Sequence, residues 1–293
     1  MTVFSGGGKS IAEDWYTMHI RQLHAHHELN ELEALQIKIW HFEPASITPS
    51  HVFTAAVRSG GLVLGAYNDD HELVGFSLAF RGERNDEPCL YSHLTGVLPD
   101  LQGKGLGFEL KLHQREFALK TGLRSIVWTF DPLMTPNARL NIQKLGGVVY
   151  RYIPNAYGDS AFRLYGDGFP THRYELHWHL ERELPSQEAM GPNLERADRA
   201  NVPYLIKPSQ DGVPVVQMDA LEKARGVSLV MPVPRHHLRM RKENPELARC
   251  WQVCVSSCSE RLIGRSHFVS AYEDLEDGGI FIFDPLDDSA LTQ

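Results

Sequence analysis

The sequence feature that most constrains this chain is the run Gln102-Gly103-Lys104-Gly105-Leu106-Gly107. It stands between a strand-like segment, Cys89–Leu98, and a segment of helical pattern, Phe108–Thr121. Small residues at this junction let a backbone approach an anion closely and aim several N–H groups at it, and the following helix adds the positive end of its dipole. Lys104 supplies a further positive charge. The spacing is G-x-G-x-G, not the G-x-G-x-x-G of dinucleotide-binding folds. The run therefore reads as a pyrophosphate cradle between a strand and a helix, with a plain structural turn as the competing reading.

The surrounding pattern is mixed α/β. Residues 20–41 have helical spacing, with Leu29, Leu32, Leu35, Ile39 and Trp40 recurring between charges. Leu62–Tyr67 and Leu73–Phe80 flank Asn68-Asp69-Asp70, a hairpin signal. After the glycine-rich run and its helix come a buried-type strand, Ser125–Phe130, a short helix, Asn137–Leu145, and strand-like Val148–Ile153 and Tyr174–Leu180. A polar, Pro- and Gly-bearing stretch from Leu184 to about residue 200 marks a boundary. Beyond it lie strand-like Ser228–Val233, one long helical pattern from His236 to Ile263, and strand-like His267–Ala271 and Gly279–Phe283. The expected organisation is a flexible leader (1–18), an α/β domain (19–183) and a C-terminal α/β extension (184–293). Gly8-Lys9-Ser10 in the leader lacks the strand and the earlier glycine of a P-loop.

Composition excludes several classes of function. Lys+Arg 29 against Asp+Glu 37 gives 29 − 37 = −8, which argues against non-specific nucleic-acid binding. No apolar run approaches the roughly 18–20 residues of a spanning helix. No apolar segment behind a basic one suggests a signal peptide, and four cysteines do not make a secreted disulfide scaffold. A reducing cytoplasm is the expected compartment. Cys250, Cys254 and Cys258 repeat every fourth residue and read as a buried helix stripe. His24 with His27, and His172 with His177 and His179, lack a fourth ligand at useful spacing, so no metal site is expected. The basic run Arg235–Lys242 reads as a solvated helix start, with steering of an anionic ligand as the functional alternative.

With these residues in view, Gln102–Gly107 resembles the Q/R-x-x-G-x-G/A signature of the GCN5-related N-acetyltransferase (GNAT) superfamily. The order of elements around it is similar, as is the asparagine-led helix from Asn137 ending in Lys144-Leu145-Gly146. Gly96-Val97-Leu98-Pro99, Trp128-Thr129-Phe130-Asp131-Pro132 and Tyr157-Gly158-Asp159 look like an uncharacterised bacterial branch of it. The resemblance covers roughly residues 19–183. It implies a mostly antiparallel sheet flanked by helices, in which Cys89–Leu98 and Ser125–Phe130 splay apart. Acetyl-CoA or another acyl-CoA would lie in that gap, with pantetheine along Gly96–Leu98 and pyrophosphate on Gln102, Gly103, Lys104, Gly105, Leu106 and Gly107. Asn137 would line the same ligand. The Val97 or Leu98 N–H would polarise the thioester carbonyl.

The implied activity is transfer of an acetyl or succinyl group to the amine of a small molecule such as an amino acid. Tyr91 and His93 share a strand face, and His93 suits a general base near neutral pH. Asp131 is a second candidate, to hold an ammonium group. The family's proton-donating tyrosine falls at Ile142 here; Tyr150, Tyr152 and Tyr157 follow as substitutes. That departure favours a second reading, a non-catalytic acyl-CoA-binding or regulatory protein. Three roles stand open for 184–293: covering the sheet edge, forming a homodimer contact, or shaping the acceptor pocket.

Overall fold

A computed structural model describes residues 18–158, 168–186 and 202–286. The Gly8-Lys9-Ser10 run, Asp159 and most of the stretch between 184 and 200 lie outside the described residues. The element order is β1 (His19–Gln22), α1 (His26–Trp40), α2 (Ser50–Arg58), β2 (Leu62–Tyr67), β3 (Leu73–Arg84), β4 (Glu87–Val97), α3 (Leu106–Lys120), β5 (Ser125–Phe130), α4 (Thr135–Ala138), β6 (Val148–Ile153) and β7 (Arg173–His179). There follow β8 (Ile206–Pro208), β9 (Pro214–Val216), α5 (Met218–Glu222), β10 (Leu229–Pro234), α6 (His237–Glu243), α7 (Pro245–Leu262), β11 (His267–Leu275) and β12 (Gly278–Pro285).

Ten strands form one sheet in the order β1-β2-β3-β4-β5-β7-β6-β11-β12-β10, and β8 pairs with β9 separately. Among the named strands of the described residues, β4 and β5 run parallel and every other named pair is antiparallel. The expected mixed, mostly antiparallel sheet is thus present. The C-terminal segment continues the same sheet, through the pairing of Val269 in β11 with Val149 in β6. Its topology repeats that of the half it joins. β12 lies between β10 and β11 as β7 lies between β5 and β6, each time after a helical crossover.

Apolar residues cover both sheet faces, as central strands require. Leu62, Leu64 and Ala66 of β2 point into the larger core, with Leu106 and Leu110 of α3 and Trp251, Val255 and Cys258 of α7. Val63, one residue out of phase, points into the second core with Leu29, Leu32 and Leu35 of α1 and Phe53 of α2. Among the described residues no helix is long and apolar enough to cross a membrane.

Several local readings change. The helix expected over 20–41 is a short strand followed by α1 from His26. The single helix expected from His236 to Ile263 is two, because Pro245 starts a new helix whose Leu247 N–H is capped by Asn244 Oδ1 at 3.1 Å. The helix over Asn137–Leu145 is α4 followed by a π-helical turn, Arg139–Lys144. The cysteine stripe is graded, with Cys258 buried, Cys254 half-buried and Cys250 exposed.

Gly96 of β4 sets how closely α1 can lie on the sheet. A Cβ there would stand 3.0 Å from Ile39 and Trp40 and 3.1 Å from Phe76. Gly96→Ala is therefore expected to destabilise the fold by about 1–3 kcal/mol through overpacking, read from urea unfolding.

Candidate active site

The site begins where β4 and β5 part. Their parallel pairing consists of Leu90 with Ile126 and Tyr91 with Val127. After that, β4 follows β3 as far as Val97, and β5 follows β7 as far as Phe130. A β-bulge sits beside the parting: Ala79 pairs with Ser92 and Leu78 with Leu94, leaving His93 as the extra residue. Backbone groups of successive residues alternate sides in a strand. The Leu98 N–H donates to Val74 O at 2.9 Å, toward β3. The Val97 carbonyl accepts from Gln102 Nε2 at 3.0 Å, on the other side. Of the two amides expected to face a thioester, Val97 is turned to the gap and Leu98 is used by the sheet.

The glycine-rich turn stands at the mouth of this gap. Gly103 has φ +77° and Gly105 φ +94°, a left-handed backbone open to glycine and strained for other residues. A Cβ at either would meet nothing within 4 Å, so open space lies above the turn. Among the described residues, the N–H groups of Gly103, Lys104, Gly105, Leu106 and Gly107 donate to no backbone carbonyl; the first amides of α3 to do so are Phe108 and Glu109, both to Gly105 O. No side chain caps the helix. Five amides, an uncapped 15-residue helix and the exposed Lys104 fit an anionic group such as a pyrophosphate. Gly107 differs from the other two: a Cβ there would lie 3.8 Å from Leu140, in ordinary contact. Asn137 is exposed on α4.

Tyr91 and His93 lie together on the sheet face away from α3. Their rings stack at 6.4 Å, and Phe80 stands 5.7 Å from the His93 ring. His93 reaches solvent, yet this aromatic wall desolvates it and lowers its pKa from the ordinary histidine value. Burial raises the Tyr91 pKa, opposed by a hydrogen bond with Thr129. Thr129 Oγ1 also lies 3.4 Å from the Tyr157 hydroxyl, so three hydroxyls meet across the parted strands. Beside them Glu175 of β7, 3% exposed, pairs with Arg84 at 3.4 Å and His177 at 3.4 Å. The hydrogen bond to His177 is the main influence holding the Glu175 pKa below the usual carboxylate value, against desolvation. Glu175, Arg84 and Thr129 are absent from the candidates read in the sequence; only the alternation of β7 hints at Glu175.

Asp131 points elsewhere. Its carboxylate lies 3.1 Å from Arg241 Nη2 and 4.0 Å from Arg173 Nη1, and accepts from the Leu133 N–H at 2.9 Å. Arg173 in turn lies over the Tyr157 ring. The basic run spends its charge similarly, Arg235 on Asp274 at 3.3 Å and Arg239 on Glu243 at 2.8 Å. Ile142 is buried in the larger core and presents no proton donor. Tyr150 stacks on Phe268 at 5.2 Å and the Tyr152 hydroxyl is 2.5 Å from Ser256 Oγ, leaving Tyr157 as the substitute beside β5. His172 stacks on Tyr152, whereas His177 and His179 both meet Tyr150. Among the described residues no three His, Cys, Asp or Glu side chains converge as metal ligands.

Comparison with known proteins gives one family match: residues 25–146 match the Acetyltransferase (GNAT) family. No curated protein matches the chain. Among solved structures, an IAA acetyltransferase from Bacillus cereus is 17% identical over 56% of this chain and 99% of its own, with a TM-score of 0.43. Arabidopsis thaliana NAA60 in complex with acetyl-CoA is 17% identical over 56% and 99%, TM-score 0.44. The NatC complex bound to Gag peptide and CoA contains a chain 10% identical over 55% and 98%, TM-score 0.44.

The Asp131 cluster yields a stability test. Asp131→Ala removes the carboxylate that Arg241 and Arg173 share, and is expected to cost about 1–3 kcal/mol in unfolding free energy, measured by urea denaturation.

Proposed function

We infer that this chain, which carries a segment of the GNAT acetyltransferase family over residues 25–146, is an acyl-CoA-dependent N-acyltransferase for a small amine. The observation that carries the reading is the open, uncapped glycine turn at the end of the gap between β4 and β5. The bound acyl-CoA supplies an activated thioester carbonyl. The amides of Gly103–Gly107 and Lys104 hold its pyrophosphate, and the gap-facing edge of β4 near Val97 orients its pantetheine and meets the carbonyl oxygen. Because the chain is acidic overall, this local array and not the global field must supply the attraction.

His93 accepts the proton of the attacking amine from the aromatic rim of the gap. Tyr157, steadied by Thr129, returns a proton to the leaving thiolate, the role that Ile142 cannot take. Glu175, already paired with Arg84 and His177, holds the acceptor-side wall and offers negative potential to an incoming ammonium group. The buried Ile142 favours a second reading, in which the chain binds acyl-CoA without turnover; thiol release against pooled amines separates the two, since binding without release supports the second.

Gly105→Glu fills and charges the cradle while leaving the core untouched. It is expected to abolish stabilisation by CoA in a thermal-shift measurement; retained stabilisation would remove the pyrophosphate assignment. His93→Gln is expected to lower kcat/KM by about 10²–10⁴-fold. In the unsubstituted protein kcat/KM should rise with pH and level off with an inflection below the ordinary histidine pKa, because desolvation keeps His93 in its neutral, proton-accepting form. An inflection above that value, or none, would assign the base elsewhere.

A further inference from the structure

One buried cation plays no part in the scheme above. Lys111 of α3 is 4% exposed. Its Nζ donates to Ser92 Oγ at 2.8 Å and lies 3.7 Å from the centre of a Trp128 ring. No carboxylate pairs with it among the described residues, although a buried lysine ordinarily requires one. The surroundings are polar but uncharged. Gln114 Nε2 donates to Ser92 Oγ at 3.0 Å and also to Ser77 Oγ, and Gln114 Oε1 is buried without a donor. An ammonium group carries three donors, and among the described residues Ser92 is the one hydrogen-bond acceptor it meets.

The position of Nζ gives this group a meaning. Tyr91 and Val127 form the last pair between β4 and β5. Ser92 and Trp128 are the next residue on each strand. Lys111 therefore bridges the two strands at the apex of the gap, from the α3 side. A ligand lying in the gap like an added strand, with its pyrophosphate on the glycine turn, directs its far end toward that apex. Resting on the acyl-CoA reading, the geometry points to Lys111 as the residue that selects the acyl group, by pairing with the terminal carboxylate of a short dicarboxylic acyl chain of the succinyl class. An acetyl methyl group offers the amine nothing. A carboxylate supplies the missing counter-charge and takes up the idle donors, a charge-assisted contact in a site shielded from water.

Burial alone lowers the Lys111 pKa to about 7, with no charged neighbour acting on it. A folded-state value below the unfolded one penalises the fold fully below about pH 7, and the penalty fades as pH rises toward the lysine's ordinary 10.5. Removing the amine should relieve it, so Lys111→Met is expected to raise Tm at pH 7 by several degrees and to flatten the rise of Tm between pH 7 and 10.

The test is calorimetric binding of free CoA, acetyl-CoA and succinyl-CoA to the full chain and to Lys111→Met, with Lys111→Gln as a second variant should the first fold poorly. The expected result is succinyl-CoA binding at least tenfold more tightly than acetyl-CoA in the unsubstituted protein. Both variants should lose that difference while keeping the affinity for free CoA. Equal affinity for the two acyl-CoAs, or a preference that survives in the variants, would overturn the assignment of Lys111 and leave the acyl-CoA reading standing. Failure of the unsubstituted protein to bind any of the three would overturn both.

Discussion

The parting of β4 from β5 is the constraint on which the rest of the molecule depends. Each strand is held on its outer side by an antiparallel neighbour, β3 for one and β7 for the other. The two are held to each other at only two residue pairs. Parallel pairing is the weaker kind of ladder, and among the described residues this is the one parallel pair of named strands in the ten-stranded sheet. The bulge at His93 turns β4 at the same point. Unpaired edges of strands are normally a liability that proteins cover. Here two of them face each other inside a sheet past Tyr91 and Val127, and the open glycine turn follows the end of β4.

The C-terminal segment secures this arrangement from one side. It extends the sheet beyond β6, repeating the strand order of the half it adjoins. α7 ties down β6 and β7 through Tyr152 to Ser256 at 2.5 Å and Tyr174 to Ser259 at 2.6 Å. Arg241 of α6 reaches Asp131 just beyond the end of β5, and Thr135 at the start of α4 donates to Arg235 O at 3.0 Å. Of the three roles left open by the sequence, covering the sheet edge is the one these contacts describe. They also engage Asp131 in holding β5, alongside any effect on an acceptor.

Much of the architecture was legible because its signals are local. The hairpin around Asn68-Asp69-Asp70, the strand before the glycines and the helix after them are each written within a few neighbouring residues. α2 was not legible, since its start is held from a distance: the Ser50 N–H donates to Glu33 of α1 at 2.6 Å, and Gln36 clasps Thr48 through two hydrogen bonds. The break at Asn244-Pro245 was written in the sequence and was outweighed by the helical periodicity on both sides. The open glycine turn followed from spacing, whereas the Tyr91–His93 pairing that alternation suggested is made across a β-bulge that spacing does not show. Glu175, Arg84, Thr129 and Lys111 did not follow from spacing, because each owes its role to a partner on another strand: Arg84 and Glu175 stand 91 residues apart. A lysine in a helical pattern reads as solvated surface until the fold shows it beneath a tryptophan.

The account rests on one physical claim, that the amides of Gly103–Gly107 and the gap-facing edge of β4 together form the site for acyl-CoA. Hydrogen exchange, followed by mass spectrometry with and without saturating acyl-CoA, tests it most directly. The account predicts slowed exchange in peptides covering residues 94–98 and 103–108 and along the gap-facing edge of β5, with the C-terminal strands β10 to β12 unchanged. Unchanged exchange in both of those segments at saturating ligand, or protection centred elsewhere on the chain, would contradict it.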